Sequence, residues 1–368
     1  MITFKVKTKD STSFARTGEL QTPHGTIPTP VFMPVGTQAT VKTLSKEDVE
    51  QVSEGLILAN TYHLWLQPGH EIVKAQGGVH GFSRWPHALL TDSGGYQVFS
   101  LQDNRKIVEE GVHFRHHKSG EALFLSPELA IEIQEALGAD IIMSFDECPD
   151  FHADDTYMKD SVDRTLRWAK RGKDHLTSDQ ALFGIIQGGG NLALREYCLN
   201  ELEAMDFPGL SIGGLSVGES KEDMRKVLDH LAPLLPEAKP HYLMGVGDPI
   251  DLLDGVRRGI DMFDCVLPTR LARHGTALTA SGKVVIKNQQ YEADINPLDS
   301  DCDCDVCTTY SRSYLRHLFK AGEQLGPRLV SYHNLYFLKQ LMAGIRQSID
   351  ENRFDEFDLA FRKKYVNE

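Results

Sequence analysis

Leu182-Phe183-Gly184-Ile185-Ile186-Gln187-Gly188-Gly189-Gly190 runs for five positions without a polar side chain and then breaks into Gln and three glycines. A segment that avoids water on both faces reads as a strand inside a parallel sheet covered on both sides. The same pattern recurs at Val31–Val35, Leu56–Ala59, Ala88–Leu90, Ile141–Phe145, Leu210–Ile212, Tyr242–Met244 and Met262–Val266, which makes eight runs in all. Amphipathic segments lie between them. Several open on a cap-like serine followed by acids, as in Ser45-Lys46-Glu47-Asp48, Ser126-Pro127-Glu128 and Ser220-Lys221-Glu222-Asp223. Eight strand–helix repeats predict an α/β fold, a (β/α)8 TIM barrel, with an open doubly wound sheet as the alternative.

Two insertions depart from the repeat. Glu110–Leu125 alternates around Lys118-Ser119-Gly120-Glu121 and reads as a hairpin-like arm after the third strand. A longer excursion follows the eighth strand and holds Cys302, Cys304 and Cys307 in a C-x-C-x2-C pattern, with His333 after a gap of 25 residues. Closely spaced thiols with a distant histidine suit a tetrahedral zinc ion; a disulfide or buried thiols without a ligand role are the alternatives. Four protein ligands leave no open coordination position, so the zinc, one per subunit, is expected to be structural. A helix from about Asn334 to Ile349 would be the barrel's eighth. The expected organisation is an N-terminal arm and barrel strands over 1–275, a zinc-binding insertion over 276–333 between strand eight and helix eight, and the last helix and tail over 334–368. Residues 1–30 are polar, with turn signals at Thr22-Pro23-His24-Gly25 and Thr29-Pro30, and read as short strands or an arm.

The 368 residues are 41% hydrophobic and 8% aromatic, the composition of a chain with a sizeable core. No apolar run approaches a membrane span and the N-terminus is no signal peptide, so a cytoplasmic protein is expected. A net charge of −13 argues against a protein coated in nucleic acid. From Arg270 to Arg346, however, ten Lys/Arg face seven Asp/Glu. A locally basic face on an acidic body suits a polyanion held in one register, and equally a solvated insertion.

Barrel chemistry collects at the C-terminal ends of the strands. Those ends read Thr91-Asp92-Ser93-Gly94-Gly95-Tyr96-Gln97, Asp146-Glu147-Cys148, Gln187-Gly188-Gly189-Gly190, Gly213-Gly214-Leu215, Met244-Gly245-Val246-Gly247-Asp248-Pro249 and Asp264-Cys265-Val266-Leu267-Pro268-Thr269-Arg270. Three carboxylates, Asp92, Asp146 and Asp264, share a glycine-rich mouth, where a flat ligand can approach the backbone. Paired carboxylates can run a double displacement at a glycosidic bond. They can also cap helices or bind a divalent cation.

Asp92–Gln97, Phe145–Cys148, Gly184–Gly189 and Phe263–Arg270, followed by the Cys302/Cys304/Cys307/His333 pattern, resemble the bacterial tRNA-guanine transglycosylases of the queuine tRNA-ribosyltransferase family, in order from about residue 10 to residue 350. The resemblance implies a zinc-stapled barrel that exchanges the wobble guanine of GUN anticodons (Asp, Asn, His and Tyr tRNAs) for 7-aminomethyl-7-deazaguanine, a step towards queuosine. It makes Asp264 the nucleophile and Asp92 the general acid/base. Ser93, Gly94, Gly95, Tyr96, Asp146, Gln187, Gly214, Leu215 and Met244 would bind the base, with Tyr96 and Met244 sandwiching the ring. Gly245, Val246, Gly247, Asp248, Pro249, Ile250 and Asp251, with Thr269, Arg270, Leu271, Ala272 and Arg273, would line the RNA path. Leu271 and His274 stand where members often carry Asn, while Cys148 and Val217 follow the bacterial pattern. The end at Glu368 leaves no room for the C-terminal RNA-binding domains of archaeal relatives. A homodimer is expected too. A non-catalytic tRNA-binding subunit on the same scaffold is the competing expectation, and a barrel metallohydrolase with zinc in the mouth a weaker one.

Overall fold

A computed structural model of the chain describes residues 2–100, 105–116 and 119–366. Lys118, at the expected hairpin turn, lies outside the described residues. Eight apolar runs form one barrel sheet. Strand two is Leu56–Ala59, three Ala88–Thr91, four Ile141–Met143, five Ala181–Ile186, six Leu210–Ile212, seven His241–Leu243 and eight Met262–Asp264. Each pairs in parallel with the next. The first run closes the ring by dividing in two. Val31–Met33 pairs with strand eight, and Val35–Gly36 pairs with strand two. Pro34, between them, has no N–H to give either neighbour, yet its carbonyl accepts the Leu58 N–H at 3.0 Å.

Alternation along the strands separates two cores. Val31, Met33, Leu56, Leu58, Ala88, Leu90, Ile141, Met143, Phe183, Ile185, Tyr242 and Met262 fill the barrel interior. Their neighbours Phe32, Ile57, Leu89, Ile142, Leu182, Ile212, Leu243 and Phe263 face the surrounding helices. A side-chain period of two puts these sets on opposite faces. Space is tight inside: a Cβ at Gly209 would sit 2.3 Å from the Phe183 ring. The serine caps fall where expected, with Ser45, Ser126 and Ser220 accepting backbone N–H groups at their helix starts.

Residues 2–30 hold a three-stranded antiparallel sheet, Thr3–Lys9, Arg16–Thr22 and Gly25–Thr29, and Ile2, Leu20 and Ile27 plug the N-terminal end of the barrel. Polar contacts fix it there. Arg16 pairs with buried Asp261 at 2.6 Å, and His24 reaches Asp140, just before strand four, at 2.7 Å. The arm after strand three has one strand more than a hairpin: Lys106–Val108, Gly111–Arg115 and Ala122–Leu125.

Two boundaries differ from the sequence reading. Strand eight stops at Asp264, not Val266, because Pro268 opens a helix at Leu267–Arg273. The last barrel helix is Leu325–Asp350, so it begins well before Asn334 and His333 lies inside it. Gly326 and Pro327 occupy its first turn, where a missing N–H leaves no bond unmade. The division at 333/334 therefore falls in mid-helix. Between the two helices lie the hairpin Thr276–Thr279/Gly282–Val285 and the helices Asp305–Thr309 and Arg312–Ala321, and Phe354–Tyr365 ends the fold. Among the described residues no helix is long and apolar enough to cross a membrane.

Candidate active site

Continuing the inward alternation one step past each strand reaches the mouth. Leu56 and Leu58 lead to Asn60, Ala88 and Leu90 to Asp92, Phe183 and Ile185 to Gln187, Tyr242 to Met244, and Met262 to Asp264. All five end residues line one cavity of ≈ 580 Å³. Period-two geometry in a closed barrel thus carries separate strand ends to a single site.

The two outer carboxylates are held differently. Asp264 accepts the Tyr242 hydroxyl at 2.6 Å and the Gly245 N–H at 2.9 Å, both on Oδ1. Oδ2 carries no hydrogen bond among the described residues. Asp92 accepts the Asn60 amide, the Thr61 N–H at 2.9 Å and the Gln97 amide at 3.2 Å. Burial pushes the Asp92 carboxyl up to about 7; the Asp264 charge adds to the rise, and the Thr61 N–H opposes it. Asp264 is also raised by burial, against the Gly245 and Tyr242 hydrogen bonds. One carboxyl poised near neutrality that feels the charge of a second is an acid/base arrangement.

Asp146 sits deeper. Burial raises it to about 6, opposed by the Gln187 amide at 2.7 Å and the Ser93 hydroxyl at 3.4 Å. The Gln187 Oε1 is buried without a partner among the described residues. Gly95 packs beneath Asp146, where a Cβ would lie 3.1 Å from its Oδ1. Ser93, Gly94, Tyr96, Gly214, Leu215 and Met244 all border the cavity, and Tyr96 is half exposed at its rim.

The expected RNA-facing residues divide. Gly245, Gly247, Asp248, Asp251 and Arg270 border the cavity. Val246, Pro249, Thr269 and Ala272 are buried, and Ile250 and Leu271 pack against the core. Arg273 keeps its NH1 buried and, among the described residues, unpartnered. Burial and the neighbouring Arg270 lower its pKa. Reading the strand ends did not single out Asn60, Thr61 or Tyr242; the inward period finds Asn60, and Tyr242 is the last inward residue of strand seven. His63 lines the same mouth, on a helix rather than a strand end.

The four metal-ligand candidates converge. The Cys302, Cys304 and Cys307 sulfurs lie 3.8, 3.5 and 3.3 Å from His333 Nδ1. Tetrahedral zinc with ordinary bond lengths separates sulfur from nitrogen by ~3.6 Å. His333 Nε2 faces the Leu278 carbonyl at 2.8 Å, which fixes the ring so that Nδ1 points at the thiols. This group can hold a metal ion and fits zinc in donor type and spacing.

Comparison with known proteins agrees with this geometry. A family model described as queuine tRNA-ribosyltransferase matches residues 10–367. A queuine tRNA-ribosyltransferase of Enterococcus faecalis is 59% identical over 366 residues, covering 99% of this chain and 96% of the relative. Those of Streptococcus gordonii and Streptococcus sanguinis are 58% and 57% identical with the same coverage.

Proposed function

The chain belongs to the queuine tRNA-ribosyltransferase family, and from that premise we propose that it is the tRNA-guanine transglycosylase that inserts 7-aminomethyl-7-deazaguanine at the wobble position of GUN anticodons. The observation that carries the reading is the Asp92–Asp264 pair, two carboxyls of one mouth whose charges interact and whose supports differ.

Asp264 is the nucleophile. With Oδ1 held by Tyr242 and Gly245, Oδ2 attacks the ribose C1′. The C1′–N9 bond breaks as the C1′–O bond forms, leaving an enzyme–RNA ester with the phosphate backbone intact. Asp92, with its carboxyl raised to about 7, keeps a protonated fraction at neutral pH and gives that proton to the departing guanine. It then takes the N9 proton of the incoming base, whose nitrogen displaces Asp264 and restores the N-glycoside. Charge balances at each step, because one carboxyl loses a proton as the other becomes an ester.

Asp146 accepts the N–H edge of the base. The Gln187 amide nitrogen has two hydrogens; one meets Asp146 and the second is free for the base carbonyl, with the Gly214 N–H beside it. Tyr96 and Met244 stack on the ring, as extruded bases require. The backbone at Leu215 meets the aminomethyl group. Arg270 and Arg273 grip anticodon phosphates, and the Gly245–Asp251 segment borders the RNA. Cys302, Cys304, Cys307 and His333 hold one structural zinc ion. A homodimer braces the tRNA, and sedimentation at micromolar concentration should show one; a stable monomer would remove that part of the reading.

Labelled guanine exchanged into tRNA by the purified chain alone tests the reading. Incorporation that disappears in Asp264→Asn, with tRNA binding kept, supports it. Binding without exchange by the unaltered chain would leave the non-catalytic subunit instead.

A further inference from the structure

Arg195 is fully buried on the helix Leu192–Ala204, and no carboxylate pairs with it among the described residues. Its guanidinium donates to four carbonyls: Gly189 at 2.9 Å, Ile186 at 2.9 Å, Gly213 at 2.6 Å and, more loosely, Gly214 at 3.4 Å. A buried cation is costly, and the hydrogen bonds of this one among the described residues all go to backbone carbonyls. Burial lowers it to about 10, so it stays charged at neutral pH.

Those carbonyls belong to the ends of strands five and six, the wall that carries Gln187, Gly214 and Leu215. In a trans peptide the carbonyl of one residue and the N–H of the next point in opposite directions. Turning the Gly213 and Gly214 carbonyls onto Arg195 therefore turns the Gly214 and Leu215 N–H groups away from it. Neither N–H makes a hydrogen bond among the described residues, and both residues border the cavity. The Ile186–Gln187 peptide is held at both ends, its carbonyl by Arg195 and its N–H by the Cys198 sulfur at 3.4 Å, three residues further along the same helix. Gly214 itself has φ +64°, and a Cβ there would press on Gln187 Oε1 at 2.5 Å. The amide wall thus has few other ways to sit.

We propose that Arg195 is a positioning residue for base selection: its guanidinium sets the peptide planes whose N–H groups, with the Gln187 side chain, read the carbonyl oxygen of the base. The inference rests on the transglycosylase reading above. It separates recognition from chemistry, since no donor of Arg195 reaches Asp92 or Asp264.

Steady-state exchange with free guanine, and inhibition by 2-aminopurine, which lacks the 6-oxygen, test it in the full chain, Arg195→Lys and Arg195→Met. Lysine keeps the charge but loses the planar fork. The KM for guanine should rise roughly tenfold or more, and the preference for guanine over 2-aminopurine should narrow by a similar factor. The rate at saturating base and the KM for tRNA should stay within about threefold. A merely structural role would lower the melting temperature and leave the preference unchanged in Arg195→Lys, which would overturn the inference. If Arg195→Met is insoluble, Arg195→Lys alone decides. An unaltered chain that neither binds guanine nor exchanges it overturns the functional reading and this inference with it. Exchange by the unaltered chain with an unchanged preference in Arg195→Lys overturns this inference alone.

Discussion

Asp92 carries a charge in the folded chain only against the pull of its surroundings. Its carboxyl is raised from 3.8 to about 7, so the folded state binds its proton more tightly than the unfolded chain does. The cost is absent below pH 4, grows between pH 4 and 7, and is complete above pH 7. Asp92→Asn should therefore melt level with the unaltered protein at pH 4 and a few degrees above it at pH 8, while exchange is abolished; calorimetry across that range, with an exchange assay, checks both. Tyr242→Phe removes one of the two hydrogen bonds on Asp264 Oδ1. That bond favours the charged carboxylate, so its loss should raise the Asp264 pKa and move the acid limb of single-turnover ester formation to higher pH; an unmoved pH profile would count against the role given to Asp264. Residue types at the strand ends made the three aspartates legible. Their supports were less so, because Asn60 and Tyr242 matter through what they hold and not through a chemistry of their own. That Thr269 and Ala272 are buried was also hidden, since a short helix following a strand directly leaves no break in composition.

The helix Leu325–Asp350 connects the Cys302/Cys304/Cys307/His333 group to the helix carrying Arg270 and Arg273 through adjacent residues. His333 points Nδ1 at the three sulfurs, while Asn334 accepts the Leu278 N–H at 2.8 Å and donates to the carbonyls of Pro268 at 2.9 Å and Thr276 at 3.0 Å. Pro268 opens the helix that carries Arg270 and Arg273, so the metal group and the cationic helix hang on one turn of one element. Removal of the metal with a strong chelator, or Cys304→Ser, should lower the melting temperature and weaken tRNA binding more than free-guanine binding. Metal analysis, thermal melts and the two binding assays read this together; equal loss of both ligands would mean that the mouth itself had collapsed. Asn334→Leu should reproduce the weakened tRNA binding with the metal retained. The ligand set was legible because soft donors are rare and clustered. The start of their helix was not, since Gly326-Pro327 has the same composition in a loop as in a first turn.

Across the whole molecule, acid and base are segregated by sequence region. A chain of net charge −13 has its excess of arginine and lysine between Arg270 and Arg346. Binding of tRNA should therefore weaken steeply with salt, and Arg270→Ala and Arg273→Ala should each reduce the slope of log affinity against log salt by about 0.7–0.9. Filter binding from low to physiological ionic strength measures it, and an unchanged slope would remove the arginine from the phosphate path. Eight apolar runs made the barrel legible as a count of strands. The split of the first run at Pro34 was not, because apolar patterning says which residues are inside and nothing about which two edges they join. That split has a consequence in time. Val31–Met33 can find its partner only after Met262–Asp264 has left the ribosome, which at ordinary elongation rates takes on the order of 10–50 s. Until then Val31–Met33 has no partner strand to pair with. The plug sheet Thr3–Thr29 has nothing complete to cap, and the last parallel pairing is also the one that delivers Asp264, the proposed nucleophile.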